Sequence, residues 1–182
     1  EIDKHFTLAL DSRNELRKIA VTDFDEVLQK GSMPESFRPT LYDFIAHEAL
    51  KFYSAGEQAA AAVQGAFDLN AESPAFDSPE TFIAWKIETT DEDSVLVKTL
   101  RLYQELMRYH SDSGQTDAFI DANLERLVLA NNNAFGESKN DRYKAALKQF
   151  TDTYGDHRIA ARALYNWASV LQEEGDLVEA HK

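Results

Sequence analysis

The chain contains no cysteine. Disulfides, thiolate nucleophiles, cysteine-based zinc sites and cysteine-ligated iron–sulfur clusters are therefore excluded. That lack does not fix a compartment, because exported bacterial domains also do without cysteine. Glycine and proline are scarce, seven and four among 182 residues, so few positions oblige the backbone to break regular structure. Basic residues are outnumbered, with 19 Lys plus Arg against 32 Asp plus Glu and a formal net charge of -13. Such a surface repels phosphate backbones and anionic lipid, which argues against nucleic acid as a partner. The excess acid serves first to keep the surface hydrated. No apolar run approaches the length needed to span a bilayer. The opening EIDKHFTLAL lacks a basic n-region followed by an apolar stretch, so no signal peptide is expected there. It also opens without Met, and we expect a mature or excised portion of a longer protein.

Hydrophobic residues make up 43% of the chain, enough for one ordinary core or a short stack of helical repeats. Between the sparse breakers the apolar period is helical. In DSVLVKTLRLYQELMRYH, Leu96, Leu100, Tyr103, Met107 and His110 fall on one helix face. Gly114 ends that pattern, and Thr116 is placed to cap a second helix with Ile120, Leu124 and Leu127 as its stripe. NNNAFGESKN reads as a loop. Tyr143, Ala146, Leu147, Phe150 and Tyr154 mark another helix, closed by Gly155. Ala160, Ala163, Leu164, Trp167, Ala168 and Leu171 mark the next, and Gly175-Asp176 turns the chain again.

Upstream, Thr40 and Asp43 have capping-box spacing before a helix whose expected buried face is Leu41, Phe44, Ile45 and Phe52. SRNELRKIAVTDFDEVLQK reads as helix with a break near Thr22. EQAAAAVQG has high helix propensity without an apolar stripe. AFDLNAESPAFDSPETF, with Pro74 and Pro79, reads as an irregular crossing segment that packs Phe67, Phe76 and Phe82 onto the helices. No convincing β alternation occurs. The expected fold is all-α, one domain of helical hairpins. Residues 1–54 form N-terminal helices, 55–91 the aromatic-rich crossing segment, and 92–182 hairpins stacked as a tetratricopeptide-like right-handed array.

The tetratricopeptide expectation comes from ALYNWASVLQEEGDLVEAHK. With Leu164 at the repeat's fourth position, Trp167, Ala168 and Leu171 take the seventh, eighth and eleventh, and Ala180 the twentieth. In that register the alanines let backbones approach while the large residues fill the space between helices. The preceding hairpins do not hold a strict period of about 34 residues. Further repeat positions would fall past Lys182, and we expect the parent to continue.

Two stretches go beyond generic helix patterning. FRPTLYDFIAHEALKFY and AFDSPETFIAWKIETTDEDSVLVKTLRLYQELMRYH resemble the helical N-terminal region of large alpha-2-macroglobulin-like proteins from Bacteroidetes. The resemblance runs from roughly Thr22 to the end of the chain. It implies a bacterial, exported protein of the periplasm or outer-membrane surface, whose parent traps proteases or otherwise acts in envelope defence. The family's Cys-Gly-Glu-Gln thioester motif, bait region and β-domains do not occur in this stretch.

Motifs that carry chemistry are missing. His47-Glu48 opens like HExxH, but the second histidine position holds Lys51, whose ammonium would repel a metal ion. His5, His47, His110, His157 and His181 show no i, i+3 or i+4 pairing. His110 reads as a helix C-terminal residue facing the negative end of the dipole. Asp91-Glu92-Asp93 lacks the central Gly and distal Glu of a calcium loop and reads as charge at a helix N-terminus. No glycine-rich nucleotide loop and no GxSxG elbow occurs. No enzyme and no cofactor is expected. The expected partner is a protein or peptide, or the rest of the same parent chain. The residues best placed to contact it are Arg158, Arg162 and Asn166 on an inner helix face, and Trp85 in FIAWK. The leading expectation is a non-catalytic scaffold or interaction domain. The alternatives are a free-standing tetratricopeptide adaptor and an envelope glycan-binding protein of the SusD-like kind.

Overall fold

The computed structural model describes residues 1–29, 31–55, 66–91 and 93–180. Among them every regular element is helical, and the only extended pairings are isolated bridges at Ala20–Thr40 and Asn70–Phe135. The protein is all-α. Its helices are α1 Ile2–Asp11, α2 Arg13–Leu16, α3 Leu41–Ser54, α4 Pro79–Ala84, α5 Val95–Ser113, α6 Thr116–Asn133, α7 Lys139–Tyr154, α8 Ala160–Glu173 and α9 Leu177–Ala180. Short 3-10 turns lie at Val21–Phe24, Glu35–Phe37 and Pro74–Phe76. The EQAAAAVQG stretch lies outside the described residues. The chain divides into two compact units, Glu1–Phe67 with Ile87–Phe119, and Asp68–Lys86 with Ile120–Lys182.

In the first unit α3 packs on α5, and α1 and α2 pack on α3. The capping box forms as its spacing predicts. Thr40 Oγ1 accepts from the Asp43 backbone N–H, and the Thr40 N–H donates to Asp43 Oδ2 at 2.8 Å. The buried face of α3 is Tyr42, Ala46, Ala49, Leu50 and Tyr53. The expected face of Leu41, Phe44, Ile45 and Phe52 lies half-buried beside it. Small residues at 46 and 49 allow a neighbouring helix close in, which bulkier side chains would prevent.

α5 starts with Ser94 Oγ accepting from the Val97 N–H. It ends at Gly114, whose φ of 66° is left-handed. The Gln115 N–H then reaches back to the His110 carbonyl at 3.0 Å, closing a Schellman-type end. Leu100, Tyr103, Met107 and His110 of the predicted stripe are buried, and Leu96 is half-buried. The segment after α2 departs from expectation. Helix stops at Leu16, because Val21 N–H donates to the Pro39 carbonyl and Leu41 N–H to the Ile19 carbonyl. Those two bonds hold the chain extended around Ala20.

In the second unit the crossing segment is more ordered than expected. Ser78 accepts from the Thr81 N–H, and Pro79 occupies the first turn, where its missing N–H costs nothing. Phe76 and Phe82 are buried, as expected, while Phe67, which belongs to the first unit, is only half-buried. Leu69 and Ala71 exchange backbone bonds with Phe135. α6 begins with the Phe119 N–H donating to the Gln115 carbonyl, so Thr116 is the first helical residue and Gln115 its cap position. From Ile120 on, α6 is buried around most of its circumference, the stripe Ile120, Leu124 and Leu127 included.

α7 buries Tyr143, Ala146, Leu147 and Phe150 and packs against α8, which packs in turn against α9. Gly175, at φ 83°, makes the turn before α9, with the Asp176 N–H on the Leu171 carbonyl at 2.9 Å. The buried face of α8 is Ala160, Ala163, Val170 and Leu171. Leu164 is 52% exposed, and Trp167 and Ala168 are half-buried. The face that α8 turns inward is thus set by Ala160, Ala163 and Val170, one step round from the Leu164 register.

Candidate functional site

Arg158, Arg162, Asn166 and Trp85 all fall in the second unit. Arg158 is exposed on the turn that leads into α8. Arg162, in the first turns of α8, is 38% exposed yet committed to two carboxylates of α6. Its Nη2 meets Asp121 Oδ1 at 3.0 Å and its Nη1 meets Glu125 Oε1 at 3.1 Å. The Asp121 side chain has no solvent exposure. An ion pair to a carboxylate that has left water is an anchor between α8 and α6, not an open contact. Asn166 is half-buried and lies beside Tyr143, whose hydroxyl pKa burial pushes up to about 12. Trp85 is half-buried with its ring centroid 6.5 Å from that of Phe82. The structure thus brings Arg162 and Asn166 together on a half-buried side of α8 and leaves Arg158 and Trp85 elsewhere.

A pocket with no signature in the sequence lies in the same unit. It has a volume of about 110 Å³. Phe76, Leu127 and Phe150 supply apolar walls, and Glu80, Gln149, Thr153 and Tyr154 supply polar groups. Arg126 also lines it, although this side chain is almost wholly buried. Its Nε donates to Asn123 Oδ1 at 3.0 Å, and its Nη1 and Nη2 donate to the carbonyls of Ala75 and Asp77, each at 2.7 Å. The guanidinium also lies 4.9 Å from the Phe82 ring centroid. Burial pulls its pKa down to about 9, so it stays charged at neutral pH. One helix thus ties down the 74–77 turn through side-chain bonds to backbone carbonyls.

The first unit holds a buried acid–base pair. His110 Nε2 stands 3.3 Å from Asp43 Oδ1, and neither side chain is exposed. His110 Nδ1 donates to Gln115 Oε1 at 2.8 Å. The other oxygen of Asp43 serves the Thr40 backbone and hydroxyl. Burial raises the Asp43 pKa and lowers that of His110, and the charge of each partner works against the shift. Sealed from solvent and committed to the cap of α3, the pair joins the end of α5 to the start of α3. Beside them, Arg17 lies between the rings of Tyr42 and Tyr109, 4.4 and 4.3 Å from their centroids, and pairs with Glu105 at 3.0 Å.

Among the described residues, no three His, Asp or Glu side chains gather in metal-binding geometry. Among the same residues, no helix is long and apolar enough to cross a membrane. Comparison with protein-family models, with curated proteins and with solved structures gave no match for this chain.

Proposed function

We propose that this chain is a non-catalytic helical scaffold or protein-interaction domain. In this reading it is the N-terminal helical region of an exported alpha-2-macroglobulin-like envelope protein, and its C-terminal hairpins stack in the tetratricopeptide manner. The observation that carries the proposal is the apolar surface of the last two helices. Leu164 and Tyr165 on α8 are 52% and 72% exposed, and Leu177 and Val178 on α9 are 55% and 74% exposed. In stacked-helix proteins each hairpin buries its apolar face on the next one, and exposed apolar side chains on both of these helices support a reading in which further protein packs there. The polar side chains of Asp43, Arg126 and Arg162 anchor helices and turns, which is in keeping with a scaffold role.

The test is the size and location of the native protein. An antibody to this domain is used to blot fractions of the source cell. A band several-fold larger than 20.6 kDa in the envelope fraction supports the reading. A band near 20.6 kDa in the cytoplasmic fraction overturns it.

A further inference from the structure

Independently of the scaffold reading, the second unit holds a buried cation at a small pocket. Arg126 is 2% exposed. A guanidinium has five N–H donors. The three nitrogens of this one are engaged by an amide oxygen and two carbonyls. All three acceptors are dipoles rather than charges. No carboxylate of the described residues stands at ion-pair distance from Arg126. Asp77, whose carbonyl is one of the acceptors, turns its carboxylate to Arg142 at 2.7 Å. Its hydrogen-bond partners are all neutral, so the buried charge is offset only through space by the carboxylates of Asp77 and Glu80, and an anion paired directly with it lowers the remaining cost.

The space beside Arg126 sets the ligand's size. About 110 Å³ holds roughly four water-sized groups of ~30 Å³ each. Phe76, Leu127 and Phe150 line it with apolar surface. Glu80 and Asp77 also line it, so a second negative charge on the ligand would be repelled. That argues against phosphate and dicarboxylates. We propose that this pocket binds a small monocarboxylate, with the carboxylate paired to Arg126 and a tail of one or two carbons against Phe76, Leu127 and Phe150. The carboxylate belongs either to a free acid or to the end of a peptide chain.

The test is a titration followed by amide NMR shifts. Propionate is added to the wild-type chain, with propionamide as the neutral isostere and sodium chloride as the ionic-strength control. Saturable shifts in residues 123–127 and 149–154, with a Kd on the order of 1 mM and at least about tenfold tighter than propionamide, support the site. Acetylated dialanine, which ends in a free carboxylate, identifies the source. Tighter binding than propionate assigns the pocket to chain ends, and weaker binding assigns it to free acids. Arg126→Gln should abolish binding, but it also cuts the tether to the 74–77 turn and is open to misfolding. Thr153→Phe is the second variant. Thr153 is exposed at the pocket's edge, so a ring there should block the mouth and leave melting unchanged. Equal shifts with propionamide, or unchanged propionate binding in a folded Thr153→Phe chain, overturn the proposal.

Discussion

Arg162→Ala should destabilise the second unit by more than an exposed arginine is worth. Arg162 itself is 38% exposed, but its partner Asp121 is fully buried. Breaking a buried pair from one side leaves a carboxylate out of water, at a cost of about 3–5 kcal/mol in closed sites. Solvent screening at the arginine end reduces that, and we expect about 2 kcal/mol. Glu125→Ala removes the outer contact, where both side chains are more than a third exposed, and should cost about 0.5 kcal/mol. The assay is urea unfolding followed by tryptophan fluorescence. The chain has two tryptophans, and Trp85 and Trp167 both lie in the second unit, so the signal reports that unit alone. With a slope of about 2 kcal/mol/M, the Arg162→Ala midpoint should fall by about 1 M. The Asp121→Ala and Arg162→Ala double-mutant cycle should show coupling of about 1–2 kcal/mol. A midpoint within about 0.2 M of wild type, with no coupling, would refute the anchor.

Arg17→Lys should destabilise the first unit by about 1–2 kcal/mol by far-UV circular dichroism, because an ammonium cannot stack flat between Tyr42 and Tyr109 while pairing with Glu105. Gly114→Ala should cost about 1 kcal/mol by the same signal. The space there is open, so the cost is the left-handed backbone at φ +66° alone. His47 is held well below the ordinary imidazole pKa of 6.5 by burial first, then by the charges of Arg38 and His110. The unfolded chain therefore takes up the proton before the folded one, and stability falls as pH drops below about 6.5, by at most ~1.4 kcal/mol per pH unit. His47→Gln should remove that part of the slope, and an unchanged pH profile would count against it.

Local signals in the sequence reveal the elements that local chemistry controls. The Thr40–Asp43 box, the Gly114 and Gly175 turns and the stripes of α5 to α7 depend on neighbours within a few residues, and they are legible. α3 and α8 are legible as helices but not in rotation, because half-apolar helices present two candidate faces. Alanines, which mark close approach, weigh little in an apolar count. Leu164 misleads for the same reason, being large and apolar yet turned outward. The site is mostly illegible. Arg126 bonds to the carbonyls of Ala75 and Asp77, about fifty residues away in sequence, and Arg162 to Asp121, about forty away. Nothing local announces such pairs. One clue exists in Asp121, Asn123 and Arg126, which interrupt a helix otherwise rich in Leu and Ala, since polar groups amid such a run need partners when buried.

The scaffold reading is tested most directly by a surface double variant, Leu164→Asp with Tyr165→Asp. Both side chains already face outward, so melting should stay within about 1 kcal/mol of wild type. The tagged domain is expressed in the source cell, and extracts are run on size exclusion. The wild-type domain should elute in an assembly well above 20.6 kDa, and the double variant, equally well folded, should elute at its own size. Identical elution of the two would contradict the scaffold role.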